Sequence, residues 1–445
     1  MRRVILIIII VFWSFKGFSQ KSMSSMYADS ITYNLYLRQQ WVELTDKAEE
    51  AIKSGFDYYY MRMRLAIAYY ERHNYARASE NFIRALEFSA DDQLALEYLF
   101  YSYYLSGKYF LAWTVVPRLS IPNRERIVKE SRIKRNSVTA ETSYLNADAG
   151  EIIASRGQVF RNPEAGSQAV TKYFINNAVY LSHIIGKRSS YFHAFTNLVK
   201  ENILHYFDGN LSADMYGQKV VQNQYYGRMN FFTPTGLVIS PSFHFLSTGY
   251  DFPAYTSSGT GFSGEFYTAR SNGFACGLGI TKTSGYLVYA GEAIFSNLNN
   301  IKQLQGTLGL FFYPAGNQNI YLGGKVSMLN NADNSAFDPR FVASLTAGFS
   351  VNNRIFFEFS GTTGKMKNYC ENNGLVVFNG VDFPTGSYSG RISVPFYRLR
   401  LTVFAGAGFG TYSSEFVPSD GYSNSDANKL NYNNYKVTGG LSWNF

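Results

Sequence analysis

Ser242 and His244 stand two residues apart, a spacing that places both side chains on one face of a β-strand. A histidine within reach of a serine hydroxyl is the base–nucleophile half of a hydrolytic triad, and a third, acidic group has to orient the ring. No acid stands nearby to do so, while Ser182 and His183 are adjacent and point to opposite faces. The five histidines (His73, His183, His193, His205 and His244) show no metal-ligand spacing, and two cysteines do not make a zinc site. Cys276 lies in an apolar alternating stretch beside Phe274, Leu278 and Ile280, which turns it toward lipid. Cys370 falls in the polar loop Asn368-Tyr369-Cys370-Glu371, so two free thiols are expected. Glycines 406–410 lie inside a strand pattern, where glycine marks a bend or a close backbone approach rather than a phosphate loop. The residue chemistry therefore predicts no enzyme, no metal and no cofactor.

The elements around these residues are more informative. The chain has 445 residues, and its 17% aromatic share is too high for intrinsic disorder. Its one prominent apolar run, Val4 to Trp13, is shorter than the ~20 residues that span a bilayer as a helix. Arg2 and Arg3 precede that run, and Gly17-Phe18-Ser19 put small residues at positions −3 and −1 of a cut before Gln20. A charged start, an apolar run and a small-residue cleavage site make 1–19 a secretory signal peptide. No cysteine follows the cut, which excludes lipid attachment there.

A 34-residue period follows. Residues 59–92 carry Leu65, Ala66, Tyr69, Asn74-Tyr75, Ala78, Phe82 and Ala85. The same slots hold Leu99, Phe100, Tyr103, Lys108-Tyr109, Ala112, Val116 and Leu119 one period later, and Ile31, Thr32, Leu35, Gln40-Trp41, Leu44, Ala48 and Ala51 one period earlier. This pattern resembles the tetratricopeptide repeat, in which small residues let the two antiparallel helices of each repeat pack closely. The resemblance implies three repeats, about 25–58, 59–92 and 93–120, in a periplasmic domain spanning 20–117. Its repeat register places Tyr33, Tyr36, Met63, Ile67, Tyr70, Glu97, Tyr101 and Tyr104 on the concave face. Tyrosine offers a large contact area and a hydroxyl at low entropy cost, which suits a protein or glycan partner. The same tyrosines equally suit packing against the C-terminal part of the chain or against a second copy.

A basic linker, 118–136, follows, with Arg118, Arg124, Arg126, Lys129, Arg132, Lys134 and Arg135 against Glu125 and Glu130. It reads either as a solvated connector or as a membrane-surface segment attracting anionic headgroups. Of the net charge of +9, Arg2, Arg3 and Lys16 belong to the signal peptide and a net five to this linker, so the basic balance makes no case for nucleic acid.

From about 138 onward the period changes to two. Leu304, Leu308, Leu310 and Phe312 alternate with Gln303, Gln305, Thr307 and Gly309; Leu399, Leu401 and Val403 alternate with Arg398, Arg400 and Thr402. Aromatic residues cluster at strand ends, as in Phe311-Phe312-Tyr313, Phe231-Phe232 and Phe356-Phe357, in the manner of interfacial girdles. The final stretch alternates Val437, Gly439, Leu441, Trp443 and Phe445 and ends on the aromatic ring. In Leu441, Trp443 and Phe445 it resembles the C-terminal signal that the insertion machinery of bacterial outer membranes reads. The expected fold is thus a helical repeat stack followed, over 137–445, by an antiparallel transmembrane β-barrel in the outer membrane. Strands are expected to begin near 138, 172, 189, 218, 236, 261, 273, 286, 302, 318, 339, 353, 386, 398 and 434, with Gly374–Asn379 as a further candidate, which brackets the barrel at 14 to 16 strands. Segments 148–171 and 412–433 are expected as extracellular loops, with the repeats in the periplasm.

Period two directs Arg228, His244, Glu265, Glu292, Lys325, Glu358, Arg391 and Arg400 into the lumen. Mixed charge there lines a polar conduit or pairs up to plug a narrow barrel, and alternation does not distinguish the two. The domain order is similar to periplasmic-repeat-plus-barrel proteins of the Bacteroidetes envelope and to exopolysaccharide exporters. The function expected is an outer-membrane protein whose repeats dock a periplasmic partner while the barrel anchors it. The alternative is a transport pore for polysaccharide or small solutes. An outer-membrane lipid hydrolase using Ser242 and His244 is the remote third.

Overall fold

The computed structural model describes residues 24–130, 136–148, 165–186, 188–207, 212–258, 261–333, 337–418 and 429–445. The signal-peptide reading (1–19), Arg132, Lys134, Arg135 and the Lys129 side chain lie outside the described residues. Two compact units divide the chain, one made of Met1–Ser106 with Val115–Arg124, the other of Gly107–Thr114 with Glu125–Phe445.

The first unit is helical. Seven α-helices are described in the chain: α1 (Ser25–Leu37), α2 (Trp41–Lys53), α3 (Tyr59–Glu71), α4 (Tyr75–Phe88), α5 (Gln93–Leu105), α6 (Tyr109–Val115) and α7 (Ile121–Glu130). Three of their starts are capped by short polar side chains: Ser24 accepts from the Tyr27 N–H, Asn74 from Arg77 and Asp92 from Ala95. Four of their ends turn on a left-handed residue, Gln39, Gly55, His73 or Gly107. His73 therefore serves a turn, a conformation that histidine visits more readily than most residues. Leu65, Ala66, Tyr69, Ala78, Phe82 and Ala85, six of the eight slots of the middle 34-residue copy, are buried, and Asn74 and Tyr75 are half-buried. The basic segment after 117 contains the last residue of a 3₁₀ turn (Val116–Arg118) and all of α7.

The second unit is a closed antiparallel barrel. Its strands are β1 (Asn136–Ala147), β2 (Gly166–Ile185), β3 (Ser189–Phe207), β4 (Ser212–Phe232), β5 (Leu237–Ser258), β6 (Gly261–Ser284), β7 (Leu287–Leu298), β8 (Ile301–Phe312), β9 (Ile320–Asn331), β10 (Arg340–Val351) and β11 (Ile355–Gly364). A short hairpin, β12 (Tyr369–Glu371) with β13 (Val376–Phe378), forms a sheet of its own. The barrel continues with β14 (Asp382–Phe396), β15 (Leu401–Glu415) and β17 (Lys429–Asn444), and the two-residue β16 (Val417–Pro418) pairs beside β2. Each barrel strand pairs with the next, and β1 pairs with both β2 and β17, so fourteen strands close without an edge. The 261 and 273 expectations are one strand, because Ser271-Asn272-Gly273 continues the ladder with β5 instead of turning. Val376–Phe378 is a strand, but of the separate hairpin. Of the segments read as loops, 148–171 overlaps β2, and 412–433 overlaps β15 and β17; 149–164 and 419–428 lie outside the described residues.

Polarity runs opposite to that of a soluble barrel. On β8, Leu304, Leu308, Leu310 and Phe312 are exposed, Leu308 at 75%, while Gln303, Gln305 and Thr307 between them are buried, Gln303 at 0%. Apolar side chains on the outer wall belong to a barrel bathed in hydrocarbon, and this is an outer-membrane β-barrel. Strands β7–β11 have 10 to 12 residues, close to the 9–11 needed to cross a bilayer at a tilt. Strands β2–β6, with 19 to 24, extend beyond it. The rim where Asn136 and Phe445 exchange backbone hydrogen bonds (3.3 and 3.0 Å) is here the near rim, and the opposite end the far rim.

Candidate functional site

The hairpin between β11 and β14 enters the barrel from the far rim. Gly364 starts it at φ 134°, where an added Cβ would stand 2.3 Å from the Phe341 carbonyl oxygen, so only glycine fits. Asn372, Asn373 and Gly374 form its tip, all with positive φ, a conformation these two residue types tolerate. The inward wall receives the hairpin in two ways. Leu246, Ala275, Ile294 and Leu298 enclose Cys370, and Leu329 and Val342 enclose Met366 and Tyr369. Around these apolar contacts, wall side chains bond the hairpin backbone. Gln305 donates to the Cys370 carbonyl (2.6 Å) and accepts from its N–H (3.0 Å), standing in for a neighbouring strand. Gln303 donates to the Asn368 carbonyl at 3.0 Å, and Glu292 accepts from the Asn373 N–H at 3.1 Å.

Ser242 and His244 face the lumen as alternation predicts, but each serves the hairpin. The Ser242 hydroxyl donates to the Asn373 carbonyl (2.7 Å), and His244 Nδ1 lies 2.7 Å from the Gly374 carbonyl. A carbonyl only accepts, so Nδ1 carries the proton. His244 is 1% exposed.

The remaining lumen expectations divide. Glu292 and Lys325 face inward and pair at 3.0 Å. Arg391 lies 3.6 Å over the Phe404 ring and 3.7 Å from Glu141. Arg228 sits 5.2 Å over the Phe192 ring. Glu358 is exposed near the near rim and accepts a hydrogen bond from the Tyr321 hydroxyl. It borders a cavity of about 380 Å³ that Tyr321, Phe356 and Arg391 also line. Two expectations need correction. Arg400 is not in a strand: β14 and β15 pair Phe396 with Leu401, which leaves 397–400 as a turn with Arg400 exposed at φ 58°. Glu265 is exposed, with the Tyr267 hydroxyl 3.3 Å away, because β6 continues past the length that encloses a lumen.

Cys276 is exposed on the outer wall and Cys370 is buried among lumen residues; both thiols are free. Cys370 thus does not lie in a solvated loop, because its segment folds inward. Among the described residues no three His, Cys, Asp or Glu side chains gather to hold a metal. Leu441, Trp443 and Phe445 are exposed on the outer wall, and the Trp443 and Phe445 rings stack with centroids 4.9 Å apart.

Sequence reading missed the far-rim lock. Asp382, at the start of β14, accepts from Lys200 Nζ (2.7 Å), the Thr171 N–H (2.8 Å), the Thr171 hydroxyl and the Tyr432 hydroxyl. A second, smaller cavity of about 160 Å³ opens at this rim beside Arg340, Lys367 and Glu415.

In the helical unit, Tyr33 is exposed and Tyr36, Tyr70, Glu97, Tyr101 and Tyr104 are half-buried. Met63 and Ile67 are 5% and 7% exposed and present little surface, because α3 touches α1, α2, α4 and α5. Tyr70 packs edge-on against Tyr75 and Tyr98. Arg118 donates to the Ala90 carbonyl, and Arg124 to those of Pro117 and Leu119, so both guanidinium groups tie down helix ends. Arg126 is exposed on α7.

No protein-family model and no curated protein matches the sequence. Among solved structures, the barrel is similar to the toluene transporter TodX of Pseudomonas putida, at 8% identity over 71% of this chain and 91% of that one, with a TM-score of 0.45. It is also similar to the toluene transporter TbuX of Ralstonia pickettii (7%, 70% and 90%, TM-score 0.42) and to a FadL homologue of Pseudomonas aeruginosa (8%, 70% and 91%, TM-score 0.41).

Proposed function

We propose that the protein is an outer-membrane channel for small solutes, closed in this state by its own hairpin. The observation that carries this reading is the way the hairpin is held. A barrel that only anchors can fill its lumen with wall side chains; here a separate segment fills it, entered through a left-handed glycine and tipped by left-handed asparagines. Much of its attachment is side chain to backbone, from Ser242, His244, Glu292, Gln303 and Gln305. Such bonds contribute only about 0.5–1.5 kcal/mol net each, because water replaces them when the segment leaves. Withdrawal would leave a polar passage between the near-rim and far-rim cavities. On this reading Ser242 and His244 hold the hairpin and carry no hydrolysis.

Planar-bilayer recording tests the proposal. Replacing 366–381 by a short Gly-Ser turn is expected to give a steady open conductance where the wild type is mostly closed. Silence from both proteins, with the barrel folded, would leave the anchor reading instead.

We infer a second role for the helical unit, as a periplasmic docking surface for a partner protein. The exposed Tyr33 and the half-buried Tyr70 and Tyr101 support it, since aromatic surface of this kind is common at binding hot spots. Tyr70→Ala and Tyr101→Ala should each reduce co-purification of an envelope protein cross-linked to the wild type. Equal recovery with both variants would end that reading.

A further inference from the structure

Most described cations of the lumen have an ion-pair partner or a hydrogen-bond acceptor. Lys200 meets Asp382 at 2.7 Å, Lys325 meets Glu292 at 3.0 Å and Lys367 meets Glu415 at 2.7 Å. Arg391 lies 3.7 Å from Glu141, and Arg340 donates to the Lys367 carbonyl and to Gln303. Arg228 has no ion pair among the described residues, and its Nε is buried without a hydrogen-bond partner. A half-buried guanidinium in that condition is costly unless something supplies the missing acceptor.

The surroundings indicate what that acceptor is. Arg228 lies over the face of Phe192, whose ring stacks on Tyr180 at 6.0 Å and meets Tyr226 edge-on at 6.0 Å. Three aromatic rings thus adjoin a guanidinium that meets the Tyr226 hydroxyl but leaves its Nε without an acceptor. Arginine presents a planar fork that matches the two oxygens of a carboxylate, and it keeps its charge at any physiological pH. The position is also linked to the hairpin. Arg228 is the cross-strand neighbour of Ser242, and Tyr226 stands two residues away on the same face. The hydroxyls of Ser242 and Tyr226 both donate to the Asn373 carbonyl at the hairpin tip, at 2.7 and 3.2 Å.

From this arrangement we propose that Arg228, with Phe192 and Tyr180, forms a binding site for an aromatic carboxylate directly beside the hairpin tip. The inference rests on the channel reading and names its substrate class. The carboxylate takes the guanidinium fork and the ring of the solute packs on the Phe192–Tyr180 platform. A bound solute stands next to the two hydroxyls that hold the tip.

Equilibrium binding to the full-length protein in detergent tests the site without requiring current to flow. The probe is benzoate, with benzamide as its neutral isostere. Benzoate is expected to bind the wild type saturably and at least about tenfold more tightly than benzamide, a difference of 1.4 kcal/mol or more. Arg228→Gln should weaken benzoate binding at least about tenfold and leave benzamide unchanged, while Lys302→Gln, in an exposed pair with Asp333 at the far rim, leaves both unchanged. Should Arg228→Gln fail to fold, Phe192→Leu keeps the charge and removes the platform, and it should weaken benzoate as well. Benzamide binding as tightly as benzoate, benzoate binding insensitive to both variants, or no saturable benzoate binding would overturn the site. A silent bilayer recording alongside intact Arg228-dependent binding would instead reject conduction and leave the site standing.

Discussion

Lys200 and Asp382 lie 182 residues apart in the chain, yet their charged atoms meet at 2.7 Å inside the barrel. Period two shows that a residue faces inward, which is why Arg228, His244, Glu292, Lys325 and Arg391 were legible as lumen residues. It does not show which inward residue another will meet, because that depends on strand number and register around a closed wall. Asp382 was further hidden by its place at the start of a strand that reads as loop. Removing one partner of a buried pair leaves an uncompensated charge and costs about 3–5 kcal/mol. Lys200→Met should therefore lower the denaturant midpoint of barrel unfolding, measured by the heat-modifiable mobility shift. Lys200→Met combined with Asp382→Leu should recover most of the loss, since an apolar pair of similar volume is often as stable as the ion pair. An unchanged midpoint in the single variant would show that Thr171 and Tyr432 satisfy Asp382 by themselves.

The hairpin was half legible as an element. Asn372-Asn373-Gly374 is a turn signal, and the following Val376-Val377-Phe378 has strand composition. Nothing in that pattern distinguishes a strand of the wall from one inside it, because the hairpin's neighbours, Leu246, Ile294 and Leu329, lie on other strands. The wall strands were easier, since apolar-out alternation repeats along each. Cys370 makes the hairpin testable, because its thiol sits beside the Ser296 hydroxyl on β7. In a Cys276→Ser background, Ser296→Cys should join Cys370 on mild oxidation and hold the hairpin in the lumen. Bilayer currents are expected to vanish on oxidation and return on reduction. Currents indifferent to the redox state would separate the hairpin from gating.

Across the whole molecule, stability is built on different physics in the two compact units. The barrel is closed by backbone ladders, and two of its charged pairs, Lys200–Asp382 and Lys325–Glu292, are largely buried inside the wall. The helical unit relies partly on exposed pairs. The Tyr58 hydroxyl (2.6 Å) and Arg64 (2.7 Å) donate to Asp29 and hold its carboxyl below the usual range. Arg62 grips Asp57 with two bonds, at 2.7 and 2.6 Å, and lowers it likewise. A carboxyl whose folded pKa is depressed stabilises the fold above its unfolded value, near about 4, and the contribution is lost as pH falls through the folded value. Both carboxylates are substantially exposed, so solvent screening keeps each contribution small. Lowering pH from 7 to 3 should therefore reduce the melting temperature of the helical 222 nm signal without abolishing folding, and leave the barrel's heat-modifiable mobility intact. Asp57→Asn should lower that temperature at pH 7 and shrink the further drop at pH 3. Simultaneous loss of both signals on acidification would mean that the two units melt as one, and that the barrel depends on the helices for its stability.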